Sequence, residues 1–69
     1  MLKVEYEARR QGKKQTEIGQ ACGVTVSLVS RVMRGKEEPY PKLRDGIARA
    51  LDWPIERADE LFEEIVEVR

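Results

Sequence analysis

Apolar residues recur along the chain at the three- and four-residue spacing of amphipathic helices, in short stretches separated by Gly and Pro. The breaks fall at Gly12, Gly23 and Gly35 and in the segments 39–41 and 52–54. Each stretch between two breaks has the length of a short helix. The pattern predicts five helices and no strand, which is an all-α fold.

The first stretch, residues 2–11, is compatible with two structures. Every second residue from 2 to 8 is apolar, as in a strand, but Val4 and Ala8 also lie four residues apart, as on one helix face. Glu, Ala, Arg and Gln fill its second half, and these residues favour a helix. Because the rest of the chain offers no partner strand, we predict a helix.

Two short helices joined by a tight turn are predicted next. Each has apolar residues at i, i+3 and i+4: Ile18, Ala21 and Cys22 in one, and Val29, Val32 and Met33 in the other. Gly23 and Gly35 follow these faces and can adopt the left-handed conformation that ends a helix. Thr25 can cap the second of the two helices.

A fourth helix is predicted from Pro41 to about residue 51, because Pro suits a first helical turn. Its apolar stripe is Leu43, Ile47, Ala50 and Leu51. Gly46 interrupts this helix, which suggests close packing against another helix. A fifth helix over about 54–68 begins at Pro54. It has more apolar residues than one packing face requires: Ile55, Ala58, Leu61, Phe62, Ile65, Val66 and Val68.

Length and composition favour a binding module over an enzyme. A chain of 69 residues forms one domain, residues 1–69, with too small a core for a large substrate cleft. The chain contains no His and one Cys, so it lacks the commonest general base and cannot form a disulfide or a Cys-based zinc site. We expect no cofactor and no metal site. Charges near the N-terminus and the lack of long apolar runs predict a cytoplasmic protein that does not contact a membrane.

Charge is distributed unevenly although the net charge is zero. Residues 1–36 carry eight basic and three acidic groups, whereas residues 37–69 carry five basic and ten acidic groups. A basic half can bind a polyanion while the acidic half faces water or a partner. The same distribution also fits two oppositely charged solvated surfaces, so charge alone does not choose between these interpretations.

The segment Gln15–Arg34 fits a helix-turn-helix, with the small Gly19 where the two helices cross and Gly23 at the turn. Flanking segments agree in order and spacing: Gly12-x-x-Gln15, Gly23-Val-Thr25, Arg34-Gly-Lys36 and Ile47-Ala-Arg-Ala-Leu51. Over nearly its whole length the chain resembles the phage repressor and Cro-like (xenobiotic response element type) family. This resemblance implies a compact five-helix, lambda repressor-like DNA-binding domain whose third helix enters the major groove.

The resemblance also implies roles for individual residues. The expected base contacts lie on the outward side of the third helix: Val26, Ser27, Ser30 and Arg31. The expected phosphate contacts flank them: the resemblance implies Gln15, Thr25 and Arg34, and we add the cations Lys14 and Lys36. The residue pattern agrees, because placing Val29, Val32 and Met33 inward turns the first set outward. Arg31 can donate two hydrogen bonds to one guanine, and Val26 can contact a thymine methyl. Leu28 can contact base methyls or pack on a neighbouring helix.

Three features depart from the family pattern. Lys14 occupies the position where many members have a Ser or Thr cap, and a bound phosphate would favour a cation there. Ala8 and Met33 occupy positions where members often pair an Arg with an acidic residue, so we expect an apolar contact instead. Glu37 and a second carboxylate at 38 follow the third helix and would repel phosphates.

We therefore expect a sequence-specific double-stranded DNA-binding transcriptional regulator, most simply a repressor, with no enzymatic activity. The surplus apolar residues of the fifth helix predict a homodimer through the C-terminal region, although they could instead complete the core of a monomer. Two alternatives remain open. The fold can serve as a protein-interaction module without specific DNA contacts, or the chain can be the antitoxin and autoregulator of a two-gene operon.

Overall fold

The computed structural model describes residues 1–65, and these form five helices and no strand. Four are α-helices: α1 (Lys3–Arg10), α2 (Gln15–Cys22), α3 (Val26–Met33) and α4 (Pro41–Ala50). The fifth is a 3₁₀ helix, Ile55–Phe62. The Cα radius of gyration is 11.0 Å, which matches the value of about 11 Å expected for a compact chain of this length. In this part of the chain no helix combines the length and apolar character needed to cross a membrane.

Each α-helix ends in the same hydrogen-bonded turn, in which one residue has a positive φ angle. The sequence pattern predicted this residue correctly as Gly23 after α2 (φ 71°) and Gly35 after α3 (φ 76°). After α3, the Gly35 N–H donates to the Val32 carbonyl at 3.1 Å and the Lys36 N–H donates to the Arg31 carbonyl at 2.9 Å. This pair of hydrogen bonds satisfies backbone carbonyls at the helix end and reverses the direction of the chain. Asp52 has the corresponding place after α4, with φ 55°.

The core contains most of the apolar residues that the sequence pattern predicted, but Ala21 is exposed, Cys22 and Ala50 are half-buried, and Ala48 is buried in α4 although it was not predicted. Twelve apolar side chains are buried: Val4, Ala8, Ile18, Val29, Val32, Met33, Leu43, Ile47, Ala48, Leu51, Ala58 and Leu61. Ala8 and Met33 are each 2% exposed and belong to this one cluster. Leu28 is half-buried and packs against the core. The predicted apolar replacement of an ion pair is therefore consistent with the packing, and Leu28 packs on its neighbours in the fold.

Two glycines allow helices and turns to approach closely. A Cβ atom on Gly19 would lie 3.0 Å from the Val24 carbonyl oxygen and 3.5 Å from a methyl group of Val29. A Cβ atom on Gly46 would lie 3.1 Å from the Sγ of Cys22, where α4 crosses α2. The structure thus confirms the close packing predicted at both positions, and it adds that the Gly19 contact is mainly with the turn.

The prediction of a fifth α-helix over about 54–68 is wrong in type and extent. The segment is a 3₁₀ helix with a kink at Arg57, and it ends at Phe62. Its buried residues Ala58 and Leu61 lie three residues apart, which is the repeat of a 3₁₀ helix. Glu63 is extended, because the chain there leaves the helix to pair with the N-terminus. Residues 66–68 lie outside the described residues.

The two ends of the described chain are joined by an antiparallel bridge between Leu2 and Glu64. The Lys3 N–H donates to the Glu63 carbonyl at 3.0 Å, and the Ile65 N–H donates to the Met1 carbonyl at 3.0 Å. The N-terminal ammonium group of Met1 also lies 3.1 Å from the Glu64 carboxylate. These bonds hold the segment after the 3₁₀ helix against the start of α1.

Some of the apolar residues in the segment 55–68 that predicted a homodimer pack into the core of the single chain. Leu61 is fully buried and Phe62 packs against the core. Ile65 is half-buried, while Val66 and Val68 lie outside the described residues. Most of the described part of the surplus therefore completes the core, and the homodimer stays a prediction.

Candidate nucleic-acid interface

α2 and α3 form a fixed pair of eight-residue helices joined by a short turn, residues 23–25. The Val24 N–H donates to the Gly19 carbonyl at 3.0 Å, which ties the turn to α2. The Thr25 hydroxyl accepts the Leu28 N–H at 3.3 Å, as predicted for a cap at the start of α3. The orientation of α3 relative to α2 is thus set by backbone bonds at the turn as well as by the core.

α3 has a buried face and an exposed face. Val29, Val32 and Met33 are buried. Among the predicted base contacts, Val26 is 43% exposed, Ser27 and Arg31 are also exposed, and Ser30 is half-buried. Three of the four side chains therefore lie on an open surface, and the Ser30 hydroxyl is less accessible than the sequence pattern suggested.

A shallow cleft of about 440 Å³ runs between the loop after α1 and the starts of α2 and α3. It is lined by Lys14 and Gln15, which are predicted phosphate contacts, and by Val26, a predicted base contact. Ala8 and Met33 line its inner wall. The fold therefore brings residues from both predicted classes to one surface, although they are eleven or more positions apart in the sequence.

Lys14 immediately precedes α2 and has an exposed side chain. Its backbone N–H donates to the Glu17 carboxylate at 3.4 Å, so Glu17 supplies the anion that this helix start favours. The Lys14 ammonium group makes no ion pair with any residue in 1–65. It can therefore contact an external anion without breaking an internal contact.

Arg34 and Lys36 lie just beyond the C-terminal end of α3, whereas Lys14 precedes α2. Both Arg34 and Lys36 are exposed. Neither makes an ion pair within the described part of the chain. Thr25 is also exposed, and its hydroxyl oxygen accepts a bond in the cap. The hydroxyl proton is still available to donate, so capping and a phosphate contact are compatible at this residue.

Arg31 has a partner that the sequence pattern did not predict. Its Nε lies 3.0 Å from an oxygen of the Glu37 carboxylate, and the two side chains are 52% and 45% exposed. The residues are six positions apart, and the turn at Gly35 brings them together. The left-handed glycine and the carboxylate two residues beyond it were the only signals in the sequence.

The remaining cations of the basic half contribute to the fold. Lys13 donates to the Ala50 carbonyl, and the Gln11 side-chain amide donates to the Leu51 carbonyl at 2.8 Å. These bonds satisfy carbonyls at the C-terminal end of α4, where a cation is also favoured by the helix dipole. The count of eight basic residues in 1–36 therefore overstates the charge available for a ligand.

Glu7 is the one charged residue buried among those described, at 5% exposed. Arg10 Nε lies 2.9 and 3.0 Å from its two carboxylate oxygens. The hydrogen bond from Arg10 lowers the pKa of Glu7, against the opposing effect of burial. Burial raises the pKa of the Cys22 thiol, which disfavours a reactive thiolate at this half-buried position.

Comparisons of the chain with protein-family models, with curated proteins and with solved structures give no match. Residues 1–65 contain no group of three or more His, Cys, Asp or Glu side chains placed to hold a metal ion.

Proposed function

We propose that the chain is a sequence-specific double-stranded DNA-binding transcriptional regulator in which α2 and α3 form a helix-turn-helix. The observation that carries this proposal is the α2–α3 pair itself. Two eight-residue helices meet at a glycine turn, and α3 has its apolar side in the core and an open side bearing Val26, Ser27 and Arg31. This is the arrangement that places a second helix in the major groove while the first lies across the backbone.

The exposed side chains of α3 have the chemistry to distinguish bases. The planar guanidinium of Arg31 matches the O6 and N7 acceptors of guanine, the Ser27 hydroxyl donates and accepts, and Val26 fits a thymine methyl. Ser30 contributes at most an edge contact, because it is half-buried. We assign the main base contact to Arg31.

Phosphate contacts are assigned to three cations near the ends of the α2–α3 pair that have no carboxylate partner within residues 1–65, Lys14, Arg34 and Lys36. Gln15 at the first turn of α2 and the Thr25 hydroxyl add neutral contacts. Lys14 lies at the start of α2, where the helix dipole also favours a phosphate. The resemblance to phage repressor and Cro-like proteins supports the same assignment.

A single recognition helix contacts few base pairs, so useful specificity needs two half-sites. A homodimer would place them about 34 Å apart, one helical turn of DNA. Leu61 and Phe62 are used in the core, so among the described residues Ile65 is the part of the predicted interface that the core uses least. Sedimentation with and without operator DNA measures this directly.

The proposed function is tested by selecting bound sites from a random pool of duplex DNA. We expect a consensus containing a conserved G·C pair, with inverted half-sites if the protein binds as a dimer. Recovery of unenriched sequences, together with binding that does not weaken with salt, would contradict the proposal. That result would favour the alternative of a protein-interaction module, since phosphate contacts lose affinity steeply as salt increases.

A further inference from the structure

The end of α3 directs the chain back along the surface of the helix. Gly35 in the left-handed conformation and the Lys36 N–H bond to the Arg31 carbonyl at 2.9 Å reverse the chain direction there. The next residue, Glu37, consequently lies beside Arg31, with its carboxylate oxygen 3.0 Å from the Arg31 Nε. The contact joins the proposed base-contacting residue to the loop that follows its helix.

The atoms in this contact leave the outer end of Arg31 open. Glu37 accepts from Nε alone, and the two terminal nitrogens of the guanidinium have no hydrogen-bond partner among residues 1–65. An arginine can donate to guanine O6 and N7 through its two terminal nitrogens, while Nε is held from the side. The observed pair therefore holds the part of the side chain that end-on guanine recognition does not use.

We propose that Glu37 is a positioning residue that orients Arg31 for guanine recognition and so determines specificity. The inference rests on the proposed DNA-binding function. An unrestrained arginine samples many rotamers, and ordering them on binding costs conformational entropy. The pair restrains the side chain before DNA arrives, so a correctly placed guanine is favoured over other bases.

Stability of the fold does not explain the pair. Both side chains are about half exposed, and exposed ion pairs contribute little to folding. The carboxylate also carries a charge that phosphates repel. Glu37 should therefore have two opposite effects: it lowers affinity for any DNA and it raises discrimination at the guanine.

Glu38 provides a matched control. It is the adjacent carboxylate, it is exposed, and it makes no ion pair in the part of the chain that the structure describes. Glu37→Ala and Glu38→Ala remove the same charge from neighbouring positions. Only the first removes the contact with Nε, while Glu37→Gln keeps an acceptor there without the charge.

The experiment measures Kd for the selected operator, for the operator with its conserved G·C pair changed to A·T, and for random duplex. Both alanine variants should bind random duplex more tightly by a similar factor. Glu37→Ala should lose roughly fivefold or more of the discrimination between G·C and A·T, the lower end of what one bidentate contact provides. Glu38→Ala should keep the discrimination of the wild type, and Glu37→Gln should lie between the two.

Unchanged discrimination in Glu37→Ala, or an equal loss in Glu38→Ala, would overturn the proposal. Improved discrimination in Glu37→Ala would also overturn it, because Glu37 would then compete with DNA for Arg31. Nuclear relaxation of the Arg31 Nε–H group in the free protein gives a readout that does not need DNA, and its order should fall in Glu37→Ala. If the wild type binds no DNA although the Arg31 Nε–H group is ordered in the free protein, the proposed DNA-binding function is wrong. The contact between Glu37 and Arg31 would still be present.

Discussion

The cations around the C-terminal segment 51–65 contact carboxylates or an aromatic ring, whereas two of the three cations near the end of α3 have no such partner among the described residues. Around the C-terminal segment, Arg57 contacts Glu60 at 2.8 and 2.9 Å, and Arg44 contacts Asp59 at 2.7 Å. The centre of the Trp53 ring lies 5.0 Å from the Lys3 Nζ and 5.7 Å from the Arg57 Cζ. Near α3, Arg34 and Lys36 are exposed and have no such partner within residues 1–65.

This difference separates charges that belong to the fold from charges that are available to a ligand. α3 is attached to the rest of the molecule by Val29, Val32 and Met33, which are all buried, so its polar side chains are not needed for attachment. The C-terminal segment is held by the buried side chains of Ala58 and Leu61 and by the backbone bonds to the N-terminus, and its ion pairs lie on the surface. Changes in the two regions should therefore have different consequences for folding and for DNA binding.

The largest expected effect is a loss of stability when the apolar packing of α3 against the core is disrupted. Ala8→Arg would place a charge in the core cluster that contains Met33, at a position that is 2% exposed. Because the charge would have no buried partner, the free energy of unfolding should fall by about 3 kcal/mol or more. Thermal and denaturant unfolding measure this loss, and an unchanged stability would show that the side chain at position 8 does not enter the core.

A double variant tests whether positions 8 and 33 meet. Both residues line the same cleft, so Ala8→Arg combined with Met33→Glu would place two opposite charges there. The double variant should recover about 1 kcal/mol or more beyond additivity. Additive losses would contradict a direct contact between these positions.

The next effect concerns base recognition. Arg31→Ala should weaken operator binding by about 1–3 kcal/mol, with much less loss on random duplex. Arg31→Lys keeps the charge but not the planar fork, so most of the specificity should be lost while the salt dependence is retained. If both variants lost the same factor on operator and on random duplex, Arg31 would be a phosphate contact instead.

A smaller effect is expected for the buried carboxylate that belongs to the fold. Because the Arg10 hydrogen bond lowers the pKa of Glu7 in the folded state, ionised Glu7 stabilises the fold above its unfolded pKa. This contribution is lost as the pH falls through the lower folded pKa. Glu7→Gln should cost about 1 kcal/mol at neutral pH, and its difference from the wild type should shrink in acid.

Glu5→Gln is the matched control on the same helix. Glu5 pairs with Arg9 at 3.0 Å in a more exposed setting, and such pairs contribute only about 0.3–0.5 kcal/mol. Equal losses for the two variants, or a Glu7→Gln loss that does not vary with pH, would contradict the assigned role of Glu7.

The smallest expected effect is at the end of α4. Asp52 has a φ of 55°, and its carboxylate lies at a helix end that favours cations. Asp52→Gly should relieve both penalties and raise the free energy of unfolding by up to about 1 kcal/mol. Gly35→Ala, at φ 76°, should do the opposite, and a loss of stability in Asp52→Gly would contradict this interpretation.

Local patterns in the sequence predicted α1–α4, because each apolar face lies within one helix and Gly23 and Gly35 closely follow the ends of α2 and α3. The 3₁₀ helix was missed because its apolar positions also fit an α-helix. The signal that could have identified it is the three-residue spacing of Ile55, Ala58 and Leu61. Pairing of the chain ends had no local signal, since Leu2 and Glu64 are brought together only by the complete fold.

The sequence predicted which residues belong to the candidate site, but it did not predict the contacts that these residues make within the protein. Exposure of Val26, Ser27 and Arg31 followed from assigning the opposite face of α3 to the core. The carboxylate on Arg31 could not be predicted from helix periodicity, because Glu37 lies outside the helix. Lys13 was counted among the basic residues, and only the fold shows that it caps α4.

Neutralising one cation from each region tests most directly whether the α2–α3 surface binds DNA. Lys14→Ala removes an exposed cation from that surface, and Arg57→Gln removes one from the network around Trp53. The slope of log affinity against log salt on random duplex should fall by about 1 for Lys14→Ala, one phosphate contact, and should not change for Arg57→Gln. Equal slopes in both variants and the wild type, or a reduction confined to Arg57→Gln, would contradict a DNA-binding surface on α2 and α3.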